Sequence, residues 1–174
     1  MNFALLVLRL VVGLVIASHG AQKLFGVFGG HGVDGTAAYY EQLGLRPARL
    51  NVWIAGVAEF AGGLLIAVGF LTPFAAAAVI GVMTVAVLTV HLRNGLFVTE
   101  NGFEYNLVLA AVALSLAGVG AGSWSLDNAF GSQLTGAGWA LAALAAGVLG
   151  GLGVIANARQ TARQGGTEGQ PHAA

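Results

Sequence analysis

The sequence predicts an all-α protein, a polytopic bundle of membrane-spanning helices, and three observations support this prediction. The 174 residues are 57% hydrophobic and only 8% charged, whereas about 25% of the residues in an ordinary soluble domain are charged. Their mean hydropathy is +0.82. Apolar runs of about 17 residues or more recur along the chain, and each can cross about 30 Å of hydrocarbon as a helix. A chain of this length forms one domain, so we expect the whole unit to lie in lipid.

The predicted spans follow the five apolar runs, at about residues 4–28, 52–70, 73–92, 105–121 and 134–156. The second and third runs meet at Leu71, Thr72 and Pro73. Because proline suits the first position of a helix, this junction predicts a tight antiparallel pair. Between the first two runs a glycine-rich loop precedes residues 36–43, which predict a short helix in the headgroup layer.

The basic residues predict the orientation. With five spans, one side of the membrane receives six of them: Lys23, Arg46, Arg49, Arg93, Arg159 and Arg163. Arg9 lies toward the other side. The positive-inside rule therefore predicts an outer N-terminus and a cytoplasmic C-terminus. The first run lacks the basic region of a signal peptide and carries Arg9 in its apolar part, so we expect an uncleaved first helix.

The last apolar run is built from alanine, leucine and glycine, with Gly147 and Gly151 one turn apart on one face. This spacing allows close approach of another helix, which predicts either packing on the bundle or a homodimer contact. After Asn157 the chain is rich in Gln, Gly and Thr. Residues 158–174 are therefore predicted to form a disordered polar tail.

Charge and composition exclude several classes of function. Seven basic residues balance seven acidic ones, so the basic stripe of a nucleic-acid-binding protein is missing. The chain has no cysteine, which excludes disulfides, thiolate metal sites and thiol redox chemistry by this chain itself. No metal site is predicted, and the sequence lacks the Walker, dinucleotide-binding, HExxH and serine-nucleophile patterns of self-contained enzymes.

Ionisable groups inside the predicted spans mark the candidate site, because each costs about 2.5–3.5 kcal/mol to insert. At about 100° per residue, Arg9, His19 and Lys23 project from one face of the first helix. The second helix contributes Glu59, the only acidic residue of the sequence at mid-membrane depth. The depths predict a bidentate Arg9–Glu59 pair. Such a pair either organises a functional site or only fixes helix packing.

A second polar cluster is predicted at the cytoplasmic end of the bundle, with six members: His19, Lys23, His91, Arg93, Asn101 and Glu104. Snorkelling explains Lys23 and Arg93 but not His19 and Glu104. Two histidines on different helices are a pattern for haem ligation. A single such pair favours hydrogen bonding or proton relay over haem. A quinone fits these residues better, because its carbonyl oxygens need donors and its tail needs an apolar groove.

Ordered motifs then give the sequence a family resemblance. They are Arg9, Ser18-His19-Gly20-x-x-Lys23-Leu24-Phe25-Gly26, Leu43-Gly44, residues 59–69 leading into Leu71-Thr72-Pro73, Asn101-Gly102-Phe103-Glu104-Tyr105-Asn106 and Ser125-Leu126-Asp127. Together they cover about residues 4–128 and resemble the DoxX family of small bacterial membrane proteins. That family is related to the DoxD subunit of thiosulfate:quinone oxidoreductase. The motifs are specific as an ordered set, although each alone is weak.

The resemblance implies a four-helix membrane core over residues 1–128, with residues 129–157 as an additional fifth transmembrane helix. It also implies a multi-pass location in the bacterial plasma membrane. Members of the family are linked to quinone-dependent oxidation, to oxidative-stress resistance and to membrane complexes with detoxifying enzymes. The family's polar motif positions fall on Arg9, His19, Lys23, Glu59 and Glu104. These are residues that the cost of membrane insertion had already selected.

The sequence thus predicts a quinone-interacting or scaffold subunit of a membrane oxidoreductase, with no covalent cofactor and no catalytic residue assigned. Its predicted intramembrane polar site comprises Arg9, His19, Lys23, Glu59, His91 and Glu104. Two alternatives stay open at this point. One is a permease or efflux component for quinone-like or phenolic compounds, and the other is a structural anchor that recruits soluble redox enzymes.

Overall fold

The computed structural model describes residues 2–132 and 134–167, and over these residues it contains helices and no strand. The helices are α1 (Asn2–Phe25), α2 (Gly32–Gln42), α3 (Ala48–Val68), α4 (Thr72–Ala86), α5 (Glu104–Val119), α6 (Leu126–Ala129) and α7 (Ala137–Thr167). A π-helical turn, Val87–His91, and a 3₁₀ turn, Leu92–Asn94, extend α4. The predicted all-α helical bundle is confirmed.

In the described part of the chain, four helical segments are long and apolar enough to cross a membrane: Asn2–Phe25, Ala48–Val68, Thr72–Asn94 and Ala137–Ala162. The fourth of the five predicted spans corresponds to α5, which has only 16 residues. At 1.5 Å per residue it covers about 24 Å, less than the usual hydrocarbon thickness. Phe103 and Gly120 end α5 on either side, because their backbones leave the helical conformation.

The helices alternate in direction. Gly13 and Gly20 of α1 face Gly63 and Gly56 of α3, so these two helices are antiparallel. In contrast, α4 and α7 are parallel, since Gly147 lies against Ile80 and Gly151 lies against Thr84. The backbone of Gly136, just before α7, donates to Gly118 near the end of α5. Helices α1, α4 and α7 therefore run one way, and α3 and α5 run the other way.

We name the two ends of the bundle after residues of α1. The Arg9 end contains the start of α1, the α3–α4 turn and α6. The Lys23 end contains the end of α1, helix α2 and the connection between α4 and α5. Exposed aromatic side chains lie near both ends: Phe25, Phe28, Trp53 and Phe97 at the Lys23 end, and Phe3, Phe74, Trp124 and Phe130 at the Arg9 end. Trp53 and Trp124, one near each end, suit the two interfaces of a bilayer, where tryptophan is enriched.

Glycines bring α1 and α3 into backbone contact. A Cβ atom added to Gly63 would lie 2.5 Å from the carbonyl oxygen of Gly13. A Cβ atom on Gly20 would collide with the backbone of Phe60. In lipid, helix association depends on such close packing, because apolar side chains gain little by leaving hydrocarbon. The glycine seam, Gly13, Gly20, Gly56 and Gly63, fixes the register of α1 against α3.

The predicted tight turn between α3 and α4 is confirmed. Gly69 ends α3 in the left-handed region with φ of 66°, and the amide of Phe70 donates to the carbonyl of Leu65 at 2.9 Å. Pro73 lies in the first turn of α4. Glycine suits this end because it adopts positive φ without a steric penalty.

The structure corrects two predicted boundaries. The short helix α2 begins at Gly32 instead of residue 36, and it packs on α3 through Ala37. Helix α7 continues through Thr167, so residues 158–167 are helical and not disordered. These residues extend the apolar span in the same helical register, with the buried Ala158 still in the bundle. The predicted tail beyond Thr167 lies outside the described residues, and the division of the chain at residue 128 stays a prediction.

The glycine pair of α7 packs on the bundle, which was one of its two predicted roles. A Cβ atom on Gly147 would lie 2.7 Å from the Ile80 side chain, and one on Gly151 would lie 2.8 Å from the carbonyl oxygen of Gly81. The predicted homodimer contact through Gly147 and Gly151 conflicts with this packing, because α4 of the same chain already covers these glycines.

Candidate functional site

The centre of the candidate site is an ion pair between Lys23 of α1 and Glu59 of α3. The Lys23 Nζ atom lies 2.5 Å from Oε2 of Glu59. Glu59 is only 3% exposed, and the Lys23 side chain is 22% exposed. Since Glu59 lies near the middle of α3, the pair is buried far from either end of that span. The predicted pairing of Glu59 with Arg9 is wrong.

The register of α1 against α3 explains why Glu59 pairs with Lys23 and not with Arg9. The glycine seam places Glu59 opposite the stretch of α1 between Gly13 and Gly20. Side chains on a helix tilt toward its N-terminus. Lys23 therefore leans back toward Glu59, whereas Arg9 leans away from it toward the Arg9 end.

Three further polar side chains lie near enough to the carboxylate to feel its charge. Glu59 interacts electrostatically with His19, Tyr40 and Tyr105. We call these three residues, together with Lys23 and Glu59, the Glu59 cluster. Burial raises the pKa of the Tyr40 hydroxyl, and the negative charge of Glu59 raises it further. Tyr40 therefore stays protonated at neutral pH and can donate a hydrogen bond.

His19 joins the cluster through a chain of side-chain hydrogen bonds. Its Nε2 lies 3.3 Å from the Tyr105 hydroxyl, and its Nδ1 lies 3.1 Å from Oε1 of Gln22. The Gln22 amide nitrogen donates to the carbonyl of Phe28 at 3.0 Å. Since Oε1 of Gln22 can only accept, Nδ1 of His19 carries a proton, which leaves Nε2 of a neutral ring to accept from Tyr105. This arrangement fixes the orientation of the His19 ring beside Tyr105.

A cavity of about 580 Å³ opens beside the ion pair. Helix α4 forms its floor, α3 and α7 form its walls, and α2 covers it at the Lys23 end. Its lining is mostly apolar and small. The polar residues that line it are Lys23, Tyr39, Tyr40, Asn51, Glu59, Thr89, His91 and Asn101.

The predicted cluster at the Lys23 end is only partly assembled. His91 lines the cavity, where its Nδ1 lies 2.8 Å from the carbonyl oxygen of Asn101. Glu104 instead accepts from the backbone amide of Val98 at 2.8 Å and so stabilises the connection before α5. Arg93 is exposed and is not part of the cavity wall. The cavity is thus lined by four residues of the predicted polar clusters: Lys23, Glu59, His91 and Asn101.

Arg9 belongs to a separate site at the opposite end. It is 1% exposed, and its guanidinium donates to the carbonyl of Trp124 at 2.6 Å. Asp127 is its electrostatic partner. A Cβ atom on Gly69 would collide with this guanidinium, so Arg9 fits tightly over the end of α3. This contact holds the segment around α6 against the start of α1.

Asp127, which the sequence analysis named only as the last residue of the ordered motifs, is a structural residue. It is buried, and its carboxylate accepts from the backbone amides of Leu71 and Thr72 at 2.8 and 3.1 Å. It also accepts from the Thr72 hydroxyl at 2.6 Å. The carboxylate thus satisfies backbone donors at the start of α4. In the sequence, only the motif Ser125-Leu126-Asp127 indicated that Asp127 is important.

Tyr40 and Asn51 are cavity residues that sequence reasoning did not select. Tyr40 lies in the segment 36–43 that was predicted for the headgroup layer, where tyrosine is common. Asn51 lies in the first turns of α3, where its side chain donates to the carbonyl of Pro47 at 3.1 Å. Within the described residues, no three His, Asp or Glu side chains converge as a metal site.

Comparison with known proteins gives two matches. The family model of DoxX matches residues 4–92, from α1 to the turn after α4. An uncharacterised protein of Haemophilus influenzae is 33% identical over 84 residues, which are 48% of this chain and 56% of that protein. The chain therefore aligns with little more than half the length of this relative. No solved structure matches the chain.

Proposed function

The chain belongs to the DoxX family, and from this premise we propose that its cavity binds a quinone or quinol for a membrane oxidoreductase. The observation that carries the proposal is the Lys23–Glu59 pair, which is buried at mid-span and exposed on one side to an apolar cavity of about 580 Å³. All members of the Glu59 cluster except Tyr105 lie within the residues that match the family.

The cost of a buried ion pair supports a role beyond packing. Removing two charges from water is expensive, and well-packed apolar residues often replace such a pair without loss of stability. A lipid-soluble ring with carbonyl oxygens would use the charges directly. The Lys23 ammonium and the Tyr40 hydroxyl can donate to a quinone oxygen, and the Glu59 carboxylate can accept from a quinol hydroxyl.

The size and lining of the cavity also agree with such a ligand. Sites for small molecules commonly have volumes of about 300–1,000 Å³, with mostly apolar walls and a few polar groups. The floor along α4, from Ala77 to His91, is about 21 Å long at 1.5 Å per residue. This length accommodates an aromatic ring and part of an apolar tail.

The proposed role is that of a binding subunit. The chain has no cysteine for iron–sulfur or thiol chemistry, so we assign electron transfer to a partner protein. The residues of this chain position the ring, because Lys23 and Tyr40 donate hydrogen bonds to it and Glu59 accepts one from its reduced form. We place the protein in the bacterial plasma membrane, with the Lys23 end in the cytoplasm.

A binding experiment tests this proposal. In nanodiscs kept under reducing conditions, the affinity for a benzoquinol with a decyl tail is measured by calorimetry for the wild type, Glu59→Gln and Glu41→Gln. Glu41 is exposed and does not line the cavity, so it is the matched control. Loss of one charged hydrogen bond costs about 1.5–3 kcal/mol, so Glu59→Gln is expected to bind more than about tenfold more weakly. Equal affinities of all three proteins would refute the proposed site.

A translocation path is less well supported than a binding site. Toward the Arg9 end, the backbones of α1 and α3 meet at Gly13 and Gly63, and Ile16 and Ile66 are fully buried. The cavity therefore has no open continuation between these two helices. Proteoliposomes that contain this chain alone are expected to accumulate no phenolic or quinone-like solute, and uptake above that of empty liposomes would favour a permease instead.

A further inference from the structure

The cavity lies in a cleft between α3 and α7, and each of these two helices packs mainly on other helices of the bundle. Helix α3 packs on α1, α2 and α4, whereas α7 packs on α4 and α5. Helix α4 thus lies between α3 and α7 and forms the bottom of the cleft. The side opposite α4 is where surrounding lipid would lie. The cleft offers a lateral route from the hydrocarbon to the Lys23–Glu59 pair.

The wall on α7 is made of small side chains with different roles. Gly147 and Gly151 contact α4, so a side chain there would disturb the packing of the bundle. Gly150 also lines the cavity, but a Cβ atom on it would meet no atom within 4 Å. Gly150 lies near the centre of the apolar span Ala137–Ala162. The space beside Gly150 is therefore open, apolar and at mid-membrane depth.

We propose that the ligand enters the cavity sideways from the bilayer, between α3 and α7, and that its apolar tail lies against α7 at Gly150. The identity of the ligand rests on the proposed quinone function, whereas the lateral opening rests only on the packing of the helices. A molecule with a polar ring and an apolar tail fits because the polar pair lies on the α3 side of the cleft and the glycine surface lies opposite.

The α3 wall of the cleft lies within the residues that match the DoxX family model, whereas the α7 wall does not. Lys23, Tyr40 and Glu59 fall within the matched residues 4–92, whereas α7 lies beyond them. The ring would thus be recognised by the part of the chain that matches the family, and the tail by a helix outside the match. Substitutions in α7 are therefore expected to change the preference for tail structure without changing recognition of the ring.

Spin labelling tests the opening without any ligand. Because the chain has no cysteine, Gly150→Cys, Gly153→Cys and Glu100→Cys each provide one label in liposomes. Gly153 is an exposed residue of the α7 span outside the cavity, and Glu100 is exposed outside the spans. The label at residue 150 is expected to collide with dissolved oxygen as the label at residue 153 does. If it collides with a water-soluble nickel chelate as the label at residue 100 does, the cavity fills from water and the proposal is wrong.

A binding experiment tests the role of α7. Leucine at residue 150 would occupy the open space that is proposed for the tail, so a bound tail would overfill that space. Gly150→Leu is therefore expected to weaken binding of a decyl benzoquinone by about tenfold and to affect the tail-less ring less. Gly153→Leu, the control, is expected to leave both affinities unchanged.

The outcomes separate the two proposals. Equal losses for both ligands in Gly150→Leu, or no loss, would overturn the tail site while leaving quinone binding intact. If the wild type binds neither compound, the quinone function fails, and the oxygen and nickel measurements still decide whether the cleft opens to lipid.

Discussion

At the scale of single residues, the protein is organised by where charged side chains point from their helices. Lys23 and Arg9 share one face of α1, yet Lys23 reaches Glu59 while Arg9 reaches the carbonyl of Trp124. Both side chains lean toward the N-terminus of α1, so only Lys23 approaches the depth of Glu59. Lys23 is therefore part of the cavity site, whereas Arg9 makes a structural contact at the Arg9 end.

The Lys23–Glu59 pair makes a prediction about stability. Lys23→Met leaves a buried carboxylate without its partner, which is expected to destabilise the protein by about 3–5 kcal/mol, and Glu59→Leu strands the lysine in the same way. The double variant is expected to be more stable than either single variant, because neither charge remains. Thermal unfolding in detergent measures this. Strictly additive losses would show that the two residues do not interact.

Tyr40 makes a prediction about pH. Its folded pKa is raised above the ordinary value of about 10, so its contribution to stability is complete below pH 10 and is lost as pH rises through the folded pKa. At about pH 10.5, replacing Tyr40 by Phe is expected to remove little tyrosinate absorbance from the folded protein. It should remove one third from the denatured protein, since the chain has three tyrosines. Equal losses in both states would contradict the raised pKa of the partly buried Tyr40 hydroxyl.

At the scale of helices, the glycine seam between α1 and α3 sets the geometry of the site. The seam fixes which depth of α1 faces Glu59, and it leaves no room for a side chain between the two backbones. Neither backbone can shift without changing the position of Lys23. Packing between two helices thus determines which ion pair forms.

The seam predicts different effects for neighbouring glycines. A Cβ atom on Gly63 would lie 2.5 Å from a backbone oxygen, whereas one on Gly62 would have its nearest neighbours at 3.6 Å. Gly63→Ala is therefore expected to lower stability by about 1–3 kcal/mol. Gly62→Ala should be neutral or slightly stabilising, because alanine favours helix over glycine by about 1 kcal/mol. Similar unfolding temperatures for the two variants would contradict the packing of the seam.

Helices were more predictable from sequence than the contacts between them. Apolar runs reveal a span directly, and the cost of inserting charges selected Lys23 and Glu59, which form an ion pair in the structure. The partner of Glu59 was not predictable, because it depends on the register of the glycine seam and on side-chain tilt. Tyr40 was missed since a tyrosine near the headgroup layer is ordinary. The helical extension of α7 was missed because polar residues after an apolar run also suit a disordered tail.

At the scale of the whole molecule, the bundle has one end that is richer in positive charge. Five basic residues lie toward the Lys23 end: Lys23, Arg46, Arg49, Arg93 and Arg159. Arg9 lies toward the other end. Helices α1 and α7 run in the same direction, so the start of α1 and the end of α7 lie at opposite ends. We therefore expect the Lys23 end to face the cytoplasm.

Cysteine labelling in cells checks this orientation. Ala129 lies in α6 at the Arg9 end and Glu100 lies at the Lys23 end, and both are exposed. A membrane-impermeant maleimide is expected to label Ala129→Cys in intact cells and Glu100→Cys only after permeabilisation. The reverse pattern would show that the Lys23 end faces outward.

The central claim is that a lipid-soluble ring occupies the cavity beside Lys23 and Glu59. Photochemical cross-linking of a tail-bearing azidoquinone to the full chain in liposomes, followed by peptide mass mapping, measures this most directly. We predict adducts on cavity residues of α2, α3 and α4, lost when unlabelled quinone is in excess. Adducts confined to lipid-facing residues of α5, or unaffected by unlabelled quinone, would contradict the claim.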